Sequence, residues 1–210
     1  MTMTPARLRA AVRHLRRRDP ILAGVIAAVG PLPPRRRHPG GLFGLLVRAI
    51  VHQQISRHAA RAIHGRLVEA CGGRAVTAEA LARLGDGEMR AAGLSRPKRL
   101  SLRDLAEKAR GGLSLARVHR LDDEAAIGVL AQVRGIGRWT AQMMLMFHLG
   151  RPDVLPLGDL GIQKAVQRAY RLRRLPDPVR LARIAEPWRP YRTAACFYLW
   201  RSLDALPPAG

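Results

Sequence analysis

Cysteine, acidic and aromatic residues are all scarce in this chain of 210 residues. Its two cysteines, Cys71 and Cys196, form neither a CxxC pair nor a set of four, so cysteine cannot build a zinc site or an iron–sulfur cluster. The histidines of segment 52–64 recur every six residues and have no carboxylate beside them. We therefore predict no divalent metal site and no organic cofactor.

A long apolar run is also missing. The segment ILAGVIAAVG at 21–30 is too short to cross a bilayer, and residues 1–19 contain no apolar core of a secretion signal. We expect no membrane partner and a soluble protein in the bacterial cytoplasm, associated with the nucleoid. No stretch alternates apolar and polar residues over the length of a strand, and no repeat of fixed period occurs.

Basic residues are the abundant class. The chain has 37 Lys and Arg against 15 Asp and Glu, a formal net charge of +22, and this balance favours a polyanionic partner, with nucleic acid first. The excess rests almost entirely on arginine. GC-rich coding is the alternative source of an arginine-, alanine-, glycine- and proline-rich composition, and in that case the charge would say nothing about function.

Apolar residues recur at helical spacing through most of the chain, which predicts an all-α fold. Short turns join the predicted helices, whose approximate ranges are 5–17, 20–29, 41–54, 57–71, 78–84, 95–110, 122–131, 138–149, 160–171, 178–185 and 191–203.

We expect a single all-α unit, 1–210, with two lobes. The ranges 1–40 and 158–210 hold the N-terminal and C-terminal helices, which pack together, and 41–157 forms a central lobe around a hairpin at 122–149. The segment GPLPPRRRHPGG at 30–41 is dense in proline, glycine and arginine. It is predicted to be an exposed linker, and an extended basic strand lying on DNA is the alternative.

The hairpin centres on VRGIG at 133–137, where two glycines surround one apolar residue between predicted helices. Gly135 and Gly137 can both take positive φ at little cost. A bare turn exposes backbone N–H groups to a phosphate oxygen, which Arg134, Arg138 and the Thr140 hydroxyl would surround. An ordinary αα-hairpin that uses glycine only to stop a helix is the alternative.

Three motifs occur in one order along the chain: RAIVHQQIS at 48–56, the stretch 133–166 from the hairpin to LPLGDLGI and beyond, and EPWRPYRTAACFYLWRSLD at 186–204. Together they resemble the alkyl-base branch of the helix-hairpin-helix DNA glycosylases, the DNA-3-methyladenine glycosylase II family. The resemblance covers about residues 40–204. It implies a compact two-lobed helical glycosylase fold, here without the N-terminal β domain of the family's best-known member.

Asp159 of LPLGDLGI stands where a helix pattern begins, and an ordinary N-cap explains it by itself. The resemblance places the catalytic aspartate here. A helix N-terminus favours a carboxylate anion, so the two roles are compatible. An alkylated base already carries positive charge and leaves readily, so one carboxylate is enough to stabilise the sugar cation and orient water.

Bifunctional relatives carry a lysine at the position that Trp139 occupies here, and its amine forms a Schiff base with the sugar. The resemblance therefore implies a monofunctional enzyme. Lys164, five positions after Asp159, is expected to contact a phosphate or to lie on the surface.

The resemblance also implies a base pocket. Trp139 and Tyr191 match aromatic positions whose faces would attract a cationic base, although core packing is open for each. Met143 stands where some relatives have an aromatic ring, and Phe43 is assigned to the same pocket. Trp188 and Trp200 are expected to be core residues.

Gln53 and Gln54 lie at a helix end, and the resemblance directs them to the gap that a flipped nucleotide leaves in DNA; a solvated helix end is the alternative. The family likeness also implies a structural monovalent cation held by the hairpin carbonyls of Ala131, Val133 and Ile136.

The sequence thus predicts a monomeric, monofunctional DNA glycosylase that flips N-alkylated bases, such as 3-methyladenine and 7-methylguanine, out of damaged double-stranded DNA and excises them in base excision repair. The alternatives are a glycosylase for another base lesion and a noncatalytic helix-hairpin-helix DNA-binding protein.

Overall fold

The computed structural model describes residues 4–33, 40–113 and 115–205. Across these residues the chain forms twelve α-helices and no strand, which confirms the all-α class. The predicted linker segment 30–41 has its middle, 34–39, outside the described residues. The chain divides into two compact units, a terminal unit of Met1–Arg35 with Leu149–Gly210 and a central unit of Arg36–His148.

The terminal unit joins the two ends of the chain. Its helices are α1 (Pro5–Arg18), α2 (Pro20–Val29), α10 (Leu160–Ala169), α11 (Pro178–Ile184) and α12 (Arg192–Ala205), with a 3₁₀ turn at Glu186–Trp188. Helix α12 packs on α2 and α10, and α1 packs on α2, on the 3₁₀ turn and on α12. The residues 149–157, expected in the central lobe, fall in this unit.

A buried carboxylate ties the beginning of this unit to its end. Asp19 caps α2 by accepting the N–H of Leu22 at 2.9 Å, and it accepts the indole N–H of Trp188 at 2.8 Å. The hydroxyl of Tyr170 also donates to Asp19. Burial, together with the bond to Asp19, raises the pKa of the Tyr170 hydroxyl well above its ordinary value. Trp188 is fully buried, as expected of a core residue.

The central unit holds the remaining helices: α3 (Gly41–His52), α4 (Arg57–Ala70), α5 (Ala78–Arg83), α6 (Asp86–Ala91), α7 (Arg96–Arg110), α8 (Asp123–Ala131) and α9 (Arg138–Met144). A 3₁₀ helix covers Leu115–Arg120, and a π-helical turn, Leu145–Leu149, continues α9. Helix α7 packs against α3, α5 and α6, while α9 packs against α3 and α8. Helices α3 and α7 thus each pack against three other helices of this unit.

Local capping explains most helix starts. Thr77 accepts the N–H of Ala80 at 3.1 Å, and Asp122 accepts the N–H of Ala125 at 2.8 Å. Helix α6 was not predicted, because its sequence DGEMRA has one buried apolar residue, Met89, and shows no apolar period. Its start is fixed by Glu88, whose carboxylate accepts the N–H of Gly85 at 2.7 Å.

Candidate active site and DNA-binding elements

The end of α3 is a tight, exposed turn. Gln54 has φ +56°, in the left-handed region that residues with a side chain rarely adopt, and its side chain is exposed. The next residue, Ile55, also presents an apolar side chain to solvent. A strained residue persists where the surrounding structure holds it, and such residues cluster at functional sites. We call Gln53–Ile55 the wedge turn.

The hairpin turn between α8 and α9 needs only one of its two glycines for conformation. Gly135 has φ +79°, and a Cβ there would lie 2.8 Å from the hydroxyl oxygen of Ser101. Gly137 has φ −86°, a value open to any residue, and space is open around the position of its absent Cβ. The expectation of positive φ therefore holds at Gly135 and not at Gly137, whose bareness leaves the backbone accessible at the start of α9.

A hydrogen bond joins the wedge turn to the hairpin turn. The side-chain amide of Gln53 donates to the carbonyl of Gly135 at 2.8 Å. The Gln53 side chain is thus engaged within the protein, whereas Gln54 is exposed beside it.

Side chains of helix α7 form hydrogen bonds with the backbone at the end of α3 and at the hairpin. The Lys98 ammonium donates to the carbonyl of Val51 at 2.6 Å, and the Lys108 ammonium donates to the carbonyl of Gln132 at 2.7 Å. Asp104 accepts the backbone N–H of Arg134 at 2.7 Å and bonds Lys108 at 2.5 Å. Side chains of one helix thus bond both the end of α3 and the part of the hairpin that precedes Gly135.

The charges of these groups follow from their surroundings. Burial works to raise the pKa of Asp104, but hydrogen bonds from Lys108 and from the N–H of Arg134, with the charges of both residues, hold it below its ordinary value. Burial lowers the pKa of Lys98. Asp104 is therefore an anion at neutral pH, the state in which it accepts both bonds.

The polar side chains expected around a phosphate are arranged differently. Arg138 makes a bidentate pair with Glu124, with one bond at 2.8 Å, and both partners are exposed. The bond to Glu124 raises the pKa of Arg138 and lowers that of Glu124. Thr140 is buried, with 9% of its surface exposed. Exposed ion pairs exchange at little cost, so Arg138 can still turn to an anion.

Three of the base-pocket candidates, Trp139, Met143 and Phe43, belong to the central unit and differ in exposure and surroundings. Trp139 is 51% exposed on α9, whereas Met143, one turn further, is buried. Phe43 lines a groove of about 780 Å³ in the central unit, whose wall includes Val76 and Leu113 but neither Trp139 nor Met143.

Asp159 begins α10 in the terminal unit and is only 7% exposed. Its Oδ1 accepts the N–H of Ile162 at 2.8 Å, the bond of an N-cap, and the indole N–H of Trp200 at 2.9 Å. Gly161 permits this arrangement, since a Cβ there would lie 3.1 Å from both Oδ1 and the Trp200 ring. The carboxylate is thus held in one orientation by a backbone and a side-chain donor.

The remaining candidates of the terminal unit lie on its surface or against α1. The ring of Tyr191 meets the ring of His14 edge-on, with centroids 5.4 Å apart. Lys164 is exposed on α10.

Sequence reasoning missed several of these contacts. Trp200, expected in the core, is half-buried and bonds Asp159, while Lys98, Asp104 and Gly161 were not singled out. The one local signal was Gly161, a poor helix former in the first turn of a helix. The other contacts join residues far apart in sequence.

Side-chain metal ligands do not gather in the described part of the chain, where no group of three or more His, Cys, Asp or Glu residues occurs. In the hairpin, the carbonyl of Val133 accepts the N–H of Ile136 at 3.0 Å. A carbonyl oxygen has two lone pairs, so this bond is compatible with a cation at Ala131, Val133 and Ile136. The cation stays a prediction.

Among described helices, none is long and apolar enough to span a membrane.

Comparison with known proteins shows the family to which the chain belongs. Residues 47–190 match the model of the HhH-GPD superfamily base excision DNA repair proteins. DNA-3-methyladenine glycosylase 1 of Schizosaccharomyces pombe is 38% identical over 160 residues, covering 75% of this chain and 70% of that protein.

Solved structures agree with the sequence match. The 3-methyladenine DNA glycosylase of S. pombe, solved in complex with abasic DNA, superposes with a TM-score of 0.84 at 33% identity, covering 96% of this chain and 100% of that one. A DNA-3-methyladenine glycosidase of Bacillus halodurans gives a TM-score of 0.82 at 34% identity, covering 93% and 94%. The chain belongs to the HhH-GPD superfamily of base excision DNA repair proteins.

Proposed function

We propose that this protein is a monofunctional DNA glycosylase that flips N-alkylated bases out of damaged duplex DNA and hydrolyses their N-glycosidic bonds. The observation that carries the proposal is the nearly buried carboxylate of Asp159, fixed by two donors at the start of α10. The similarity to 3-methyladenine DNA glycosylases supports this reaction and this class of substrate.

Asp159 acts on the sugar. A base alkylated on a ring nitrogen is cationic, so it leaves as a neutral molecule when it takes the electrons of the glycosidic bond. The sugar then carries positive charge at its anomeric carbon, which the fixed carboxylate stabilises better than water does because it need not reorient. Water adds to this carbon, loses a proton and completes the hydrolysis.

The central unit binds and opens the duplex. The hairpin presents the first N–H groups of α9 to a backbone phosphate, with no side chain at Gly137 in the way. Gln54, exposed on the wedge turn, enters the gap left by the flipped nucleotide. The bond from Gln53 to Gly135 keeps the two turns at a fixed separation, so phosphate binding and insertion occur together.

Exposed Trp139 offers its ring face to the flipped base. A cation over an indole gains about 0.5–2 kcal/mol, which favours alkylated bases over neutral ones. Met143 is buried one turn further along α9, so we assign it to the wall of the pocket rather than to a surface that the base stacks on.

The lysines support hydrolysis without strand cleavage. The chain has three of them, and two are held by the protein: Lys98 by the carbonyl of Val51, and Lys108 by Asp104 and the carbonyl of Gln132. Lys164 is exposed on α10, and we assign it to a phosphate. The protein then leaves an intact strand with an abasic site. It acts as a monomer on the DNA of the bacterial nucleoid.

The test uses duplex DNA treated with a methylating agent, incubated with wild-type protein and with Asp159→Asn, and the released bases are separated by chromatography. Release of 3-methyladenine or 7-methylguanine by the wild type alone is expected. Equal release by both proteins would remove Asp159 from the mechanism. Failure of both to release bases, with DNA binding intact, would favour a different lesion or the noncatalytic alternative.

A further inference from the structure

Helix α1 carries arginine on the side that faces away from the protein. Ala11 and Leu15 are buried, and Arg13 lies two residues from each, a rotation of roughly 200° about the helix axis. Arg9 and Arg17 stand four residues on either side of Arg13 and share its face. These arginines, together with Arg16, are exposed, and we call Arg9, Arg13, Arg16 and Arg17 the α1 arginine face.

Repulsion among the arginines of this face destabilises the helix when no anion is bound. Like charges four residues apart destabilise a helix by about 0.2–0.5 kcal/mol per pair. The sequence of α1, PARLRAAVRHLRRR, contains no acidic residue to offset them. Within the described residues, no ion pair is recorded for the four arginines. A bound polyanion would therefore relieve this repulsion, which no acidic residue of α1 offsets.

Three arginines elsewhere in the described chain have acidic partners, although only Arg138 of the three is exposed. Arg99 pairs with Asp86 at 2.8 Å, Arg138 pairs with Glu124, and Arg192 pairs with Asp153 at 2.8 Å. Acidic residues are few in this chain, and several are spent on pairs of this kind. The absence of any acid on α1 thus separates its arginine face from those positions.

The dimensions of the face suit a nucleic-acid backbone. From Arg9 to Arg17 the helix rises about 12 Å, at 1.5 Å per residue. One strand of duplex DNA carries a phosphate about every 3.4 Å of axis, so three to four phosphates fall within that length. Guanidinium groups bind phosphate through paired hydrogen bonds, which makes arginine well suited to this contact.

We propose that the α1 arginine face is a second DNA-binding surface, which holds the duplex backbone outside the lesion and independently of sequence. The proposal adds to the function given above and rests on it only for the identity of the polyanion. Because such contacts carry no base information, the surface contributes equally to damaged and undamaged DNA. Its role is to keep the enzyme on DNA between lesions.

The test compares two proteins of equal net charge. One has Arg9, Arg13, Arg16 and Arg17 changed to Gln. The control has four other exposed arginines of the terminal unit changed to Gln: Arg173, Arg174, Arg180 and Arg183. Binding to an undamaged duplex of about 25 base pairs is measured over a range of salt concentrations by fluorescence anisotropy, with circular dichroism and thermal melting to check the fold.

Each phosphate contact contributes about 0.9 to the slope of log K against log salt concentration. We expect the slope of the α1 variant to become shallower by about 2–4, and that of the control by less than about 1. Equal changes in the two variants would mean that only net charge acts, and would overturn the proposal. The proposal would also be overturned if the α1 variant lost binding to phosphatidylglycerol vesicles while its salt slope on DNA stayed unchanged.

A second measurement separates this proposal from the enzymatic one. Base release from methylated duplex at saturating protein is expected to be unchanged in both variants, while at low protein and physiological salt the α1 variant is slower. If the wild type releases no base but the salt slopes still differ, the glycosylase function fails and the DNA-binding surface stands. If the wild type releases bases and the slopes agree, the surface alone is wrong.

Discussion

At the residue scale, Asp159 combines two tasks that depend on the same oxygen. Its Oδ1 caps α10 through the N–H of Ile162 and accepts the indole N–H of Trp200. The cap is a local consequence of sequence, since aspartate before a helix satisfies an N–H that has no partner within the helix. The bond to Trp200 adds a side-chain donor that fixes the orientation of the carboxylate.

Asp159→Asn is expected to reduce excision by about 100-fold or more, because it removes the negative charge that stabilises the sugar cation. Asparagine caps helices as well as aspartate, so the fold should remain. Single-turnover base release and thermal melting measure the two effects. Asp159→Ala loses the cap as well as the charge and shows how far the melting temperature falls without the cap. If Asp159→Asn lowers the melting temperature as much as Asp159→Ala does, its inactivity reflects unfolding.

Trp200→Phe keeps a ring of similar shape and removes the N–H that Asp159 accepts. A hydrogen bond to a charged group is worth about 1.5–3 kcal/mol, so we expect a loss of roughly 10–100-fold in single-turnover excision. Affinity for abasic DNA should change little. Undiminished excision by Trp200→Phe would show that the indole N–H does not position the carboxylate.

At the scale of elements, the connection between the wedge turn and the hairpin turn depends on α7. Lys98 bonds the end of α3, Asp104 and Lys108 bond the hairpin, and Gln53 adds a direct bond between the two turns. Neither turn is therefore an isolated loop.

Gln53→Ala separates two explanations of this residue. If Gln53 holds the hairpin, as its bond to Gly135 indicates, its loss should weaken binding to lesion DNA and plain duplex by similar factors, of about tenfold. Gln54→Ala should weaken binding to lesion DNA selectively, because only that duplex is opened. Competition binding on both duplexes measures this. Matching selectivity in the two variants would place Gln53 in the DNA gap, as sequence alone predicts.

Element boundaries follow sequence closely where periodicity and caps agree. The eleven predicted helices all occur, with ends within a few residues of those expected. The predicted helix 138–149 differs in its second half, where a π-helical turn at Leu145–Leu149 replaces regular α-helix. Such a turn results from tertiary packing and leaves no period in the sequence.

At the scale of the molecule, the two ends of the chain form one unit, and Asp19 is the polar group at its centre. It lies 151 residues from Tyr170 and 169 from Trp188 in the sequence. Without Asp19, the hydroxyl of Tyr170 and the indole N–H of Trp188 would lose this acceptor in a buried environment. The buried hydrogen-bond network thus links segments that no local rule could pair.

Asp19→Ala is expected to lower the free energy of unfolding by about 3 kcal/mol or more, because the donors of Tyr170 and Trp188 lose their acceptor and α2 loses its cap. Urea denaturation followed by circular dichroism measures the change. Asp204→Ala, at an exposed position of α12, is the matched control and should have little effect. A change below about 1 kcal/mol for Asp19→Ala would mean that water replaces the carboxylate.

The sequence by itself determined the helical class, most helix ends, the turn at Gly135 and the cap at Asp159. Each of these follows from residues within one or two turns of one another, through apolar period, capping and backbone freedom. The motif order was enough to indicate the family, which the comparisons confirm. Short-range rules thus reach the helical class and the cap, while the catalytic role proposed for Asp159 comes from the family resemblance.

Only the tertiary structure decided which donor holds Asp159, where the amide of Gln53 points and which helix supports the hairpin. Trp200 is 41 residues from Asp159, and Gly135 is 82 residues from Gln53. Contacts at such distances depend on how helices pack, and packing depends on the volumes of all core residues at once. The sequence therefore indicates candidate site residues, while the packing of the helices determines their hydrogen-bond partners.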